Sequence, residues 1–182
     1  RMEGEGHFAA LLRKAGSDRR HEMKEETGGA NLLSSGQLRE LPEEAAAFLG
    51  KIRFPFSVSG WKAERMKDSL LLIPEGMEYK GLRCLRTGLL LGTVKKKRFE
   101  PSQALAMALK MDSWDNFLDF SRDDYRAERY LKGETLDPGE TDEGKRSSGW
   151  TLVGCDGFPL GWGKMVNGQL RNKYQAGSRK MS

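Results

Sequence analysis

The sequence predicts an α+β fold: a small antiparallel β unit followed by a pseudo-barrel or half-barrel β unit with inserted helices. Three observations carry that expectation. Short apolar runs recur between Gly, Pro and charged residues from Phe54 onward, two helix-spaced segments follow Pro101, and Asn167-Gly168 separates two strand-like runs near the end.

Residues Glu3 to Arg13 alternate weakly and then run apolar through Phe8–Leu12, as a strand entering a buried sheet does. Ala15 to Gly36 turns to charge, Gly28-Gly29 and Ser34-Ser35, the composition of a linker. Leu41-Pro42-Glu43-Glu44 opens a helix, with proline at the first helical position and acids where the dipole favours them, and Gly50 ends it. The apolar runs Phe54–Val58, Ser69–Ile73, Leu82–Leu85, Thr87–Leu91 and Thr93–Lys97 read as small antiparallel strands.

Pro101-Ser102-Gln103 opens a second helix, whose Ala104, Leu105, Ala108 and Leu109 recur at helical spacing. A third is expected near Arg122–Leu131, ended by Gly133. Asp137–Ser148 is too polar to bury much and reads as an exposed loop. Trp150–Cys155 and Leu160–Val166 form a strand pair through Asp156-Gly157-Phe158-Pro159, and Asn167-Gly168 turns tightly into Gln169–Tyr174. The expected division is therefore a strand within 1–14, a linker over 15–37, a first unit over 38–97, a second over 98–177 and a tail over 178–182.

Composition narrows the function. The 182 residues leave little room for a large enclosed active site. No apolar run approaches the length of a membrane span and no secretory pattern opens the chain, so a cytoplasmic protein without a membrane partner is expected. The chain opens with Arg1 rather than Met, which suggests a piece of something longer. Cys84 and Cys155 cannot build a disulfide framework and have no neighbours at metal-ligand spacing. No glycine-rich turn stands between a strand and a helix, so no cofactor site is expected in this chain. His7 and His21 lack partners, Cys84 reads as a small core residue, and Asp156 disfavours a thiolate at Cys155. No catalytic residue is assigned.

Charge is the informative feature. The net charge of +5 is modest, yet Tyr79–Arg98 holds Lys80, Arg83, Arg86, Lys95, Lys96, Lys97 and Arg98 with no carboxylate. Asp112–Glu143 is strongly acidic, and the end turns basic again with Lys164, Arg171, Lys173, Arg179 and Lys180. Two such strips form a phosphate-binding surface if they converge, and are ordinary solvated faces if they do not.

The run Gly149-Trp150-Thr151-Leu152-Val153-Gly154-Cys155-Asp156-Gly157-Phe158-Pro159-Leu160-Gly161-Trp162-Gly163-Lys164, continued by Asn167–Tyr174, closely resembles the end of Fmu/Sun-type RNA cytosine-C5 methyltransferases of the RsmF branch. Arg98–Ala106 and Arg129–Glu134 match the same pattern in the same order. The resemblance implies a PUA-like RNA-binding domain preceded by a smaller domain, with residues 1–14 similar to the last strand of the methyltransferase domain. It also implies small-subunit ribosomal RNA as partner, 5-methylcytidine as product, S-adenosylmethionine as the parent's donor and a catalytic domain in cis. The family's two cysteines stand in Pro-Cys and Thr-Cys-Ser contexts, whereas here they are Arg-Cys-Leu and Gly-Cys-Asp, so neither role carries over.

Given that resemblance, Lys95, Lys96, Lys97 and Arg98 with Lys164, Arg171 and Lys173 are expected to line an RNA face. Trp162 and Tyr174 are candidate stacking platforms, although glycine-flanked Trp162 reads equally as a core residue packed over bare backbone. Asn172 would bond a base edge or cap a local turn. Trp61 and Trp114 are assigned to packing. The competing reading is a protein-docking module without RNA contact, which requires an exposed apolar patch instead.

Overall fold

The structure is a computed structural model that describes residues 32–77, 81, 87–138 and 148–180. The expected strand over Glu3–Arg13 with His7, the tether up to residue 31 with His21, the Leu82–Leu85 run with Cys84, and residues 139–147 of the polar loop lie outside them.

Two open four-stranded sheets organise the described residues, which makes the fold α+β without a closed barrel. The first is an antiparallel meander of β1 (Trp61–Met66), β2 (Ser69–Pro74), β3 (Leu89–Lys95) and β4 (Arg98–Pro101). Thr87–Leu91 and Thr93–Lys97, expected as two strands, contribute to a single β3. Phe54–Val58 is not a strand: Pro55 offers no N–H to a ladder, and Phe54 and Val58 are buried from a loop instead. Strand β1 escaped the sequence reading because it is a charged edge strand whose lysine, glutamate and arginine break the apolar pattern.

The second sheet runs β5 (Phe117–Phe120), β6 (Gly149–Cys155), β7 (Phe158–Val166) and β8 (Gln169–Asn172). The expected hairpins are present. Asp156-Gly157 and Asn167-Gly168 both take positive φ at both turn positions, the twist that two-residue hairpins favour. Strand β5 was not foreseen, since its exposed Phe117 spoils the alternation. It lies parallel to β6.

Four short helices connect these parts. Helix α1 (Ser35–Arg39) overlaps the end of the expected linker and is held by a capping box between Ser34 and Gln37. Helix α2 (Glu43–Leu49) follows Pro42 and buries Ala45, Phe48 and Leu49. Helix α3 (Gln103–Met107) is capped by Ser102, and α4 (Tyr125–Leu131) by Asp124, whose side chain accepts from the Arg126 N–H.

The sheets share one core. Leu152 and Trp162 of the second sheet pack with Phe48, Phe99, Leu105 and Trp114, while a smaller cluster gathers Tyr130, Val153, Met165 and Leu170 on the opposite face. Helix α3 is the mortar between the sheets. Ser102 donates its hydroxyl to Leu90 O, and the Gln103 amide donates to Leu160 O. The expected boundary after Lys97 cuts a hairpin, because β4 pairs with β3 and so belongs to the first sheet.

Candidate nucleic-acid interface

The β3–β4 register sets Lys95 opposite Arg98 and Thr93 opposite Glu100, so these side chains share one face of the hairpin. Lys95 Nζ lies 2.6 Å from Glu100 Oε2, and Arg98 Nε lies 3.2 Å from Oε1. Lys96 and Lys97 form the exposed turn. Lys97 has φ of 54°, in the left-handed region that costs an L side chain about 1–2 kcal/mol and suits glycine or asparagine better.

The second strip lies on β7 and β8. Lys164 and Arg171 are paired across the strands, and the Lys173 N–H donates to Trp162 O at 3.0 Å just beyond β8. Arg171 and Lys173 are exposed, alternating with buried Leu170 and half-buried Asn172. Hydrogen bonding from Lys95 holds the Glu100 carboxyl below the usual glutamate range, and the charges of Arg98 and Lys173 push the same way. Lys95 and Arg98 are ion-paired with this carboxylate, whereas Lys173 of the second strip acts on it through its charge from farther off.

The aromatic and amide candidates fare differently. Trp162 is 1% exposed, donates Nε1–H to Ser102 O at 2.9 Å, and meets Trp114 and Trp150 edge-on. It is a core residue that offers no face to a base, which corrects the stacking assignment. Its flanking glycines serve the opposite face. A Cβ at position 161 would lie 2.6 Å from the Tyr130 hydroxyl, and one at 163 would lie 2.5 Å from Leu170. Asn172 is corrected likewise: Nδ2 donates to Tyr130 O and Glu134 O, and Oδ1 accepts from the Tyr174 N–H at 2.7 Å. Those bonds close the end of α4 and occupy the amide that was to read a base. Tyr174 is half-buried, its ring 5.5 Å from that of Tyr130. Burial pushes the Tyr130 phenol well above its ordinary value, and its hydroxyl donates to Trp162 O.

Sequence reasoning missed a cleft of about 490 Å³ where the two sheets adjoin. Helix α2 supplies Phe48 to its wall and the turn after it Lys51, the β3–β4 hairpin Lys97 and Arg98, and the start of β6 Trp150. Trp150 O accepts from Trp114 Nε1 and from Asn116 Nδ2, both at 3.0 Å, which fixes the strand at the cleft edge. Nothing in the local pattern marked Trp150, because a tryptophan opening a strand reads as core.

Other chemistry finds little support. Burial raises the Cys155 thiol pKa, and Asp156 and Asp119 raise it further, which disfavours a thiolate. Among the described residues no group of three His, Cys, Asp or Glu side chains is placed to hold a metal ion, and no helix is long and apolar enough to cross a membrane.

Two models of known domains match the chain. Residues 47–109 match the first C-terminal domain of RsmF rRNA methyltransferase, and residues 117–180 match the PUA domain of methyltransferase RsmF. The first match runs through β4 and α3, so the divide between the matches coincides with the divide between the sheets.

Proposed function

The chain belongs to the RsmF methyltransferase family, carrying its first C-terminal domain and its PUA domain, and on that premise we propose that it grips ribosomal RNA along its two basic strips. The bound RNA is small-subunit ribosomal RNA, presented to a catalytic domain in cis that forms 5-methylcytidine from S-adenosylmethionine. The observation that supports this reading is the pair of exposed basic strips, Lys95–Arg98 with its ion pairs to Glu100 and Lys164–Lys173, whose Lys173 charge reaches the same carboxylate. A ribose-phosphate chain binds such a face by releasing condensed counterions.

This chain's own part is to bind and orient. Among the described residues the strand-to-helix turns, Ser102 between β4 and α3 and Ser121–Asp124 between β5 and α4, hold no glycine to let backbone N–H groups approach a methyl donor closely, which supports assigning the donor to the catalytic domain. The test is binding of the chain to a small-subunit ribosomal RNA fragment across a salt series. A steep loss of affinity with salt is expected. Absent or salt-independent binding would overturn the reading and favour a protein-docking role.

A further inference from the structure

We propose that the cleft between the two sheets is a subsite for one unstacked nucleotide of single-stranded RNA, its base against Trp150 and its phosphate between Lys97 and Arg98. The proposal rests on the reading that this face binds RNA, and it assigns to that RNA a feature that a continuous duplex does not offer.

The cleft volume of about 490 Å³ falls within the range of pockets that enclose small ligands. Three cations reach it, Lys51, Lys97 and Arg98, against Glu44 and Asp115. Asp115 is engaged by Arg53 at 2.7 Å and Arg98 by Glu100 at 3.2 Å, which leaves Lys51 and Lys97 against Glu44 and a balance at the rim that favours an anion. The wall beneath is aromatic. Trp114 and Trp162 commit their indole N–H groups to backbone carbonyls, whereas that of Trp150 meets no acceptor among the described residues. Half-buried Trp150 brings an aromatic ring to the cleft wall, packed edge-on with Phe48 and Trp162 on a backbone fixed by the bonds to its carbonyl. Unstacked bases are recognised by stacking on such rings.

Two further observations point the same way. Trp150, Lys164 and Arg171 are consecutive partners across β6, β7 and β8, so a row of side chains leads from the cleft into the second basic strip. At the other wall a lysine holds the left-handed turn position that glycine would occupy without strain. Lys67 holds the same kind of position in the β1–β2 turn, so what bears on the cleft at 97 is the exposed cation and not its backbone.

The test uses the full 182-residue chain with a ten-nucleotide single-stranded RNA and a perfect duplex of the same sequence. Trp150→Leu, which keeps apolar bulk and loses stacking, is expected to weaken single-strand binding about tenfold and leave duplex binding within twofold. Trp150→Phe should restore most of the loss. Lys97→Gly should weaken single-strand binding severalfold while thermal stability holds or rises, so that its effect cannot be unfolding. Single-strand affinity unchanged in Trp150→Leu or in Lys97→Gly, or equal weakening on both RNAs in Trp150→Leu, would overturn the subsite and leave RNA binding standing. Failure of the unaltered chain to bind either RNA would remove the underlying reading as well.

Discussion

Glu100 sets the charge balance of the first basic strip. Its carboxylate sits between cations that would otherwise face a phosphate, and removing its charge should strengthen the site. Glu100→Gln is expected to raise RNA affinity severalfold at low ionic strength, with the difference shrinking as salt screens it. The pH effect has a definite sign. Because the folded carboxyl titrates below its ordinary value, its stabilising contribution is present above the ordinary glutamate range and is lost as pH falls through the lowered value. Glu100→Gln should therefore lose less stability on acidification than the unaltered chain. The side chain is 37% exposed, so the change at neutral pH should stay within about 1 kcal/mol. Weaker RNA binding by Glu100→Gln in a low-salt titration would instead mean that the glutamate positions the lysine and arginine. The tryptophans show where residue-level reading stops. Glycines beside Trp162 reported crowding on the opposite face of the strand, and could not report what covers the tryptophan itself.

Among the elements, α3 does most to hold the two sheets as one body, and Ser102 is its anchor. Its hydroxyl accepts from the Leu105 N–H and donates to Leu90 O, its N–H donates to Leu91 O, and its carbonyl receives the Trp162 indole. Ser102→Ala keeps the backbone bonds and removes both hydroxyl bonds, one a helix cap. A loss of about 1–3 kcal/mol is expected in denaturant unfolding. A change below about 0.5 kcal/mol would show that the Ser102 hydroxyl does not anchor α3. Elements were legible in the sequence where local chemistry dictated them. Asn167-Gly168 and Asp156-Gly157 require positive φ at a two-residue turn, and Ser102 and the acids after Pro42 mark helix starts. Helix α1, β1 and β5 were not legible for separate reasons: α1 carries a capping box inside a polar stretch, β1 is a charged edge strand beside β2, and β5 is held by β6, far along the chain. Gln37, for example, both completes a capping box and donates to Trp61 O.

For the molecule as a whole, the α+β class and the two-unit plan followed from strand spacing, turn residues and the resemblance, while the cleft did not. A cleft between units depends on how α2, the β3–β4 hairpin and β6 come together, and no single segment encodes that. The basic strips were visible as composition; that Lys173 lies near enough for its charge to act on Glu100 is a property of the packed sheets. The most direct test of the account is the slope of log affinity against log salt for single-stranded RNA in the unaltered chain, Lys97→Gly, Lys173→Gln and the double variant. Each substitution should lower the slope by about 0.7, and the pair by about twice that, because both cations release counterions from the same RNA. An unchanged slope in Lys173→Gln would contradict the account, placing the C-terminal strip off the RNA.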